Sequence, residues 1–317
     1  MKKVIFLDEI HPYLQEKLEA AGWICDQDYK SSYEEILEKI HHYEGIVIRS
    51  RIPLDRRLID KASQLEFIAR SGSGLENIDV EYAKSKGIHI INSPEGNRDA
   101  VAEHVIGMIL SLFNRLCINH QKVIDGIWDR EGGRGIELKE KTFAIIGFGQ
   151  MGSAVAQRLQ SFDCNILAYD KYKKNYAPSY VKETTLDEIY QRADIVSIHL
   201  PLSKETKHWL NSEKIEKFKK QFYLINTARG QHVVLKDLLI AIEKGKIAGA
   251  ALDVLELEAS YFELEQHQNK EILKKLAATQ KVLFTPHVAG WTVESYFKLS
   301  WVLYNKLKLL YPSLQEG

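Results

Sequence analysis

The stretch that decides the fold is KTFAIIGFGQMGSAVAQRLQSFDCNILAYD, residues 141–170. It opens on an apolar run, 142–146, of the kind that forms a strand buried on both faces. Gly147, Gly149 and Gly152 follow in the spacing G-x-G-x-x-G, and behind them Ala154, Val155, Leu159 and Phe162 recur at helical spacing. A second apolar run, 166–169, ends on Asp170, eighteen residues past the last glycine.

Each part has a task if a dinucleotide binds here. Gly147 turns the chain out of the strand, Gly149 lets the backbone approach a pyrophosphate, and Gly152 lets the helix pack close to the strand. The first helical turn, which begins at Gln150 and Met151, then points N–H groups and a positive helix end at the phosphates. Asp170 is placed to accept from the ribose hydroxyls and to repel a 2′-phosphate, which favours NAD over NADP. Lys171, Lys173 and Lys174 keep the phosphorylated cofactor open as a second reading. A glycine-rich turn alone is common. Strand, glycines, helix, strand and acid in register are the specific signal.

Outward from that unit, the 317-residue chain is long enough for two cores, and its 43 basic and 43 acidic residues leave no net charge to attract nucleic acid or an anionic membrane. Cys25, Cys117 and Cys164 lack metal-ligand spacing and read as reduced thiols of a cytoplasmic protein. The start, MKKVIFLDEI, reads as a first strand rather than a signal peptide, and no stretch approaches a membrane span. No metal site is expected.

Residues 1–95 alternate short apolar runs with helical segments stopped by Gly22 and Gly87, the pattern of a small parallel-sheet domain. A long helix is expected over 98–117, and after Asp170 the alternation resumes through DIVSIHL (194–200), FYLIN (222–226), AGAAL (248–252) and 282–284, closing on a helix over 292–310. The expected fold is α/β, with two parallel-sheet domains and a cleft between them. Three polar residues lie past strand ends in the second domain: Arg229, Glu258 and His287. Ligands of open parallel sheets bind at those ends, so the three are candidates for one site.

Several spaced motifs together resemble the D-isomer-specific 2-hydroxyacid dehydrogenase family over nearly the whole chain. They are SGSGLENID (71–79), NRDAVAEH (97–104), residues 141–152, HLPL (199–202), NTARG (226–230), ALDV (251–254) and TPH (285–287). The resemblance implies a flavodoxin-like substrate domain from residues 1–96 with 291–317, and a Rossmann NAD-binding domain from residues 97–290. It implies an Arg–Glu–His site at Arg229, Glu258 and His287. It places Thr227 and Asp253 near the nicotinamide and its ribose and His199 and Pro201 along the adenosine side, with Thr206, Ala228 and Gly290 as further cofactor contacts. It also implies a homodimer built on 98–117 and 127–138.

The roles are chemically sensible. A guanidinium anchors a carboxylate and polarises the neighbouring carbonyl. A histidine gives a proton to the carbonyl oxygen as hydride arrives, and a carboxylate beside it orients the ring. Backbone N–H groups of Ser73 and Gly74 are expected to cradle the substrate carboxylate. Arg49 and Arg51, placed on a strand, would share one face, and in 3-phosphoglycerate dehydrogenases cations at the matching place face the phosphate. The other reading is a solvated pair at a strand end.

The chain departs from the family in one place. Ala259 stands where a proline usually follows the glutamate, and residues 260–275 replace a short loop, so Glu256 and Glu263 are alternative carboxylates. The function expected is hydride transfer between NAD(H) and a D-2-hydroxy acid, with 3-phosphoglycerate favoured and hydroxypyruvate, glyoxylate or lactate as alternatives. The chain is too short for the C-terminal regulatory domains that some of the phosphoglycerate enzymes carry. A reading of another class is an NADH-sensing co-regulator on the same fold.

Overall fold

Every apolar run named above forms a parallel strand in the computed structural model, which describes residues 1–258 and 269–315. The chain divides into two compact units, Met1–Arg98 with Trp291–Gly317 and Asp99–Gly290.

The smaller unit holds β1 (Lys3–Phe6), β2 (Ile24–Gln27), β3 (Gly45–Ile48), β4 (Phe67–Arg70) and β5 (His89–Asn92), in the order β2-β1-β3-β4-β5. All its pairings are parallel, and the order is the flavodoxin-like one. Period-two alternation divides the strand residues between two cores. Ile5, Ile46, Ile48 and Ile68 face one side, and Val4, Phe6, Val47, Phe67 and Ala69 the other. Burial on both faces is what turns these strands into continuous apolar runs rather than alternating ones. The closing helix, Val293–Leu310, buries Leu303, Tyr304 and Leu307 in the second of these cores. A capping box starts it: Ser295 N–H donates to Thr292 Oγ1, and Thr292 N–H donates to Ser295 Oγ.

The larger unit holds β6 (Thr142–Ile146), β7 (Asn165–Tyr169), β8 (Lys182–Glu183), β9 (Ile195–Ile198), β10 (Phe222–Asn226), β11 (Ile247–Leu252) and β12 (Val282–Phe284). Their order is β12-β11-β10-β9-β6-β7-β8, all parallel. Counted from β6, this is the doubly wound order of dinucleotide-binding domains, and it reverses between β6 and β9. Ala144, Ile146, Val196 and Leu224 face one core, and Phe143, Ile145, Ile195 and Ile225 the other.

One expectation is corrected. The helix expected over 98–117 is broken: Pro94–Phe113 and Leu116–Ile124 are separate, because Arg115 takes a left-handed φ of 53° and Asn114 Nδ2 closes the first helix on the Leu110 carbonyl. The charged stretch that replaces a short loop carries a helix over Asn269–Ala278 in its described part, and Glu263 lies outside the described residues. No single described helix is long and apolar enough to cross a membrane.

Candidate active site

At the reversal point of the larger sheet, β6 ends in Gly147, whose φ of 94° lies in the region that glycine adopts without strain. A Cβ there would stand 2.6 Å from the His199 carbonyl oxygen, so the turn after β6 presses directly on the chain leaving β9. A Cβ on Gly152 would stand 2.2 Å from the Gly147 carbonyl oxygen, which is the close helix–strand contact the motif requires. Gly149 is different: its Cβ position is open, with nothing within 4 Å. It is the N-cap of the helix Gln150–Leu159 and, as a glycine, makes no side-chain hydrogen bond to the first turn.

Asp170 braces the glycine turn as well as ending β7. Its Oδ2 accepts from Phe148 N–H at 3.0 Å, and its Oδ1 from Tyr172 and Lys173 N–H at 3.0 and 3.2 Å. The neighbouring lysines are occupied: Lys173 Nζ donates to the Phe148 carbonyl at 2.7 Å, and Lys171 pairs with Glu205. Past β9, the Thr206 hydroxyl donates to the Pro201 carbonyl at 2.6 Å and folds that loop onto itself. Ser197 Oγ lies 2.8 Å from His199 Nε2, and desolvation pushes His199 down to about 4, which keeps its ring neutral.

The buried hydroxyl of Thr227, just past β10, has no hydrogen-bond partner among the described residues. A buried hydroxyl without a partner is costly unless a ligand supplies one. An open Gly149 at the start of a helix, an acid at the end of β7 and the orphan Thr227 hydroxyl together fit NAD.

The carboxyl ends of β10, β11 and β12 carry the second constellation. Asn226 is fully buried and shapes the turn after β10: its Oδ1 accepts from Ala228 N–H at 3.1 Å and its Nδ2 donates to the Arg229 carbonyl at 2.9 Å. Arg229 itself is extended at φ −141°, with Nη1 on the Ala228 carbonyl at 2.7 Å. The next residue, Gly230, has no room for a side chain, since a Cβ would stand 1.8 Å from the Leu255 carbonyl oxygen. That contact fixes the Arg229 turn against the segment that leads to Glu258.

Asp253, 1 % exposed, is the hub of the β11 and β12 ends. Its Oδ1 accepts from Thr285 Oγ1 at 2.5 Å and Val288 N–H at 2.9 Å, and its Oδ2 from Ala289 N–H at 2.9 Å. Its carbonyl accepts the His287 N–H at 2.8 Å. These bonds hold His287 in a left-handed conformation, φ 54°, that a histidine adopts at a cost of about 1 kcal/mol. Gly290 is the last residue of this unit.

Held there, His287 presents Nδ1 to Glu258 Oε2 at 2.7 Å, while Glu258 Oε1 accepts from Leu255 N–H at 2.5 Å. Glu256, the alternative carboxylate, is occupied elsewhere. Its Oε2 accepts from Leu235 N–H at 2.9 Å, and its Oε1 lies 3.1 Å from His208 Nε2.

This is a glycine-turn nucleotide site beside a guanidinium and a carboxylate–imidazole pair, all on one parallel sheet. Residues 106–289 match the family model for the D-isomer specific 2-hydroxyacid dehydrogenase, NAD binding domain. The chain belongs to that family. The D-3-phosphoglycerate dehydrogenase of Methanocaldococcus jannaschii is 34 % identical over 311 residues, 97 % of this chain and 57 % of that protein. The glyoxylate reductase of Thermofilum pendens is 37 % identical over 276 residues, 85 % of this chain and 78 % of that protein. This chain spans about half the length of the phosphoglycerate enzymes it matches. Among solved structures, the D-lactate dehydrogenase of Aquifex aeolicus, complexed with NAD and lactic acid, has a TM-score of 0.83 at 30 % identity, covering 99 % of this chain and 96 % of that one.

In the smaller unit, β3 ends at Ile48, so Arg49 and Arg51 lie beyond the strand and do not share a face as expected. Arg51 turns inward, with Nε on the Leu7 carbonyl at 2.6 Å, Nη1 on Ser31 at 2.5 Å and Nη2 on Asp28 at 2.9 Å. It ties three segments of its own unit together. Arg49 lies over the Trp291 ring, 4.3 Å from its centroid.

The glycine loop is shaped by Gly72, φ 141°, whose N–H donates to Ser93 Oγ at 3.0 Å. Ser73 Oγ donates to Asn97 Oδ1 at 2.9 Å, and the Ser73 carbonyl accepts from Asn92 Nδ2 at 2.7 Å. These bonds leave the Ser73 and Gly74 N–H groups with no intrachain acceptor among the described residues.

One participant had no role in the sequence reading although its motif was quoted. His104 Nε2 lies 3.1 Å from Thr285 Oγ1 and 3.6 Å from Asp253 Oδ1, joining the helix Pro94–Phe113 to the Asp253 hub. Its signal was its place at the end of NRDAVAEH, but no spacing argument pointed it at Asp253.

Proposed function

We propose that this chain is an NAD-dependent D-2-hydroxyacid dehydrogenase, reducing a 2-oxo acid or oxidising the matching hydroxy acid. The observation that carries it is the 2.7 Å pair between His287 Nδ1 and Glu258 Oε2, rigidly backed by Asp253. Glu258 fixes the imidazole orientation. With Nδ1 taken, proton exchange with the substrate oxygen falls to Nε2. Arg229 holds the substrate carboxylate and draws charge onto the carbonyl oxygen as it develops. In the smaller unit, the N–H groups of Ser73 and Gly74 are the proposed carboxylate donors. Bound NADH supplies the hydride, and Gly149, Thr227 and Asp170 are the residues that hold it.

Among substrates, 3-phosphoglycerate is proposed first, on the resemblance to the phosphoglycerate enzymes and on Arg49 alone now that Arg51 is turned inward. Hydroxypyruvate, glyoxylate and lactate are the alternatives. A homodimer is proposed on the strip Leu116, Val123, Ile124, Ile127 and Trp128, whose side chains are 55 %, 54 %, 63 %, 51 % and 80 % exposed and apolar. Three free cysteines fit a reducing, cytoplasmic setting.

The experiment follows NADH absorbance with phosphohydroxypyruvate, hydroxypyruvate, glyoxylate and pyruvate. Turnover of at least one acid is expected, lost in His287→Gln. Activity retained in His287→Gln would remove the assignment.

A further inference from the structure

The hydrogen bonds that gather on Asp253 end at a histidine from a different element. The helix Pro94–Phe113 buries Ala102, Val105, Ile109 and Phe113 in the core that also holds Ile225 of β10 and Ala251 of β11. Its neighbour, the helix Gln150–Leu159, fastens it further: Arg158 Nη2 donates to Asp99 Oδ1 at 3.1 Å and to Glu103 Oε1 at 3.0 Å. His104 therefore projects from a backbone that its own side-chain bonds do not have to hold, which suits a group that orients others.

The direction of each hydrogen bond follows from counting donors. Both oxygens of Asp253 accept backbone N–H groups, Oδ1 from Val288 and Oδ2 from Ala289, each at 2.9 Å. The Thr285 hydroxyl, 2.5 Å from Oδ1, gives Asp253 its one hydrogen. What remains on Thr285 Oγ1 is accepting capacity alone. His104 Nε2, 3.1 Å away, must then carry a hydrogen and donate it to that oxygen. The same nitrogen lies 3.6 Å from Asp253 Oδ1, beyond hydrogen-bond distance, so the hydroxyl is the link between the two.

That link secures the segment bearing His287. Thr285 stands two residues before His287, Val288 and Ala289 directly follow it, and all three donate to the Asp253 carboxylate. The His287 N–H donates to the Asp253 carbonyl at 2.8 Å. A left-handed histidine persists only where its surroundings over-determine it. With His104 bonded to its oxygen, the Thr285 hydroxyl has one setting, aimed at Asp253. Without that bond the hydroxyl is free to turn, and the first pin of the segment loosens.

We propose that His104 is a positioning residue for the reaction: its Nε2–H sets the Thr285 hydroxyl on Asp253 and so clamps residues 285–289, which carry His287. The clamp needs an N–H donor at that point and neither a charge nor a ring. The effect on turnover rests on the dehydrogenase reading; the clamp itself does not.

The test compares His104→Met, which keeps bulk and removes the donor, with His104→Gln, whose amide N–H replaces it. NADH oxidation is followed with glyoxylate, hydroxypyruvate and pyruvate. His104→Met should lower kcat about tenfold with KM for the acid within about twofold, because a displaced His287 slows the reaction more than it weakens binding. His104→Gln should recover kcat to within about twofold of the wild type. In a Thr285→Val background His104→Met should have almost no further effect, since the link is already cut. Hydrogen exchange read by mass spectrometry gives a measure without turnover: the peptide over 285–290 should exchange about fivefold faster in His104→Met and at the wild-type rate in His104→Gln. Wild-type kcat and exchange in His104→Met, a Gln variant as impaired as the Met variant, or full additivity with Thr285→Val overturns the proposal. Faster exchange in His104→Met from a chain that turns over no acid would sink the dehydrogenase reading and leave the clamp standing.

Discussion

The two parallel sheets treat their polar residues in opposite ways. In the larger unit the groups past the strand ends close on one another: Asp253 gathers Thr285, Val288 and Ala289, and Glu258 takes His287. In the smaller unit Arg49 and the N–H groups of Ser73 and Gly74 are left open among the described residues, while Arg51 and Asp8 consume their bonds in holding the turn. Closed networks suit groups whose positions must not vary during a reaction, and open donors suit groups that wait for a ligand. The lesson is clearest in Arg49 and Arg51, which are two residues apart and opposite in circumstance.

That contrast can be broken at its tightest point. Gly230→Ala drives a methyl group into the Leu255 carbonyl oxygen, 1.8 Å away in the present geometry. It should cost about 3 kcal/mol or more in urea unfolding and uncouple the Arg229 turn from Glu258. A variant of wild-type stability would show that the closed network has slack.

The pH dependence of stability comes next. His199 titrates at about 4 in the folded chain and near 6.5 unfolded, so between those values the unfolded chain binds more protons. Stability should fall as pH drops from 6.5 toward 4, by about 2–3 kcal/mol from this group. His199→Asn should remove that part of the slope, and an unchanged slope would place the effect elsewhere.

The arginine contrast gives a sharper comparison. Arg51→Met strands the carbonyls of Leu7, Ser31 and Asp28, so it should cost about 2 kcal/mol. Arg49→Met should change stability by less than about 1 kcal/mol, because the cation loses only its contact with Trp291. Equal losses would erase the distinction between a structural and a waiting arginine.

The smallest effect is chemical. Burial pushes Cys25 up to about 12 and Cys164 up to about 11, whereas Cys117 is exposed. In alkylation at pH 8 read by mass spectrometry, Cys117 should react first and the other two about 100-fold more slowly.

Much of this was legible in the sequence. The unit over residues 141–170 is local: strand, turn, helix and acid are specified by neighbours, and the chain folds as that pattern reads. Arg229, Glu258 and His287 were visible as polar residues past strand ends, because β10, β11 and β12 are short apolar runs with clear limits. What could not be read depends on long-range geometry. Nothing in the spacing of Arg49 and Arg51 says that the strand stops at Ile48 and that the second guanidinium turns back on residues 7, 28 and 31. The Trp291–Arg49 stack joins residues from opposite ends of the chain. The break at Arg115 is a left-handed residue that favours no side chain but glycine or asparagine, so the composition of 98–117 concealed it.

The most direct measurement is steady-state NADH oxidation across 2-oxo acids for the wild type and Arg229→Ala, with NADH affinity read by fluorescence. The expected result is turnover by the wild type, a fall of about a thousandfold or more in Arg229→Ala, and NADH affinity within about twofold. Stoichiometric NADH binding with no turnover on any acid would contradict it and point to a sensor. An Arg229→Ala enzyme that kept most of its activity would contradict the site.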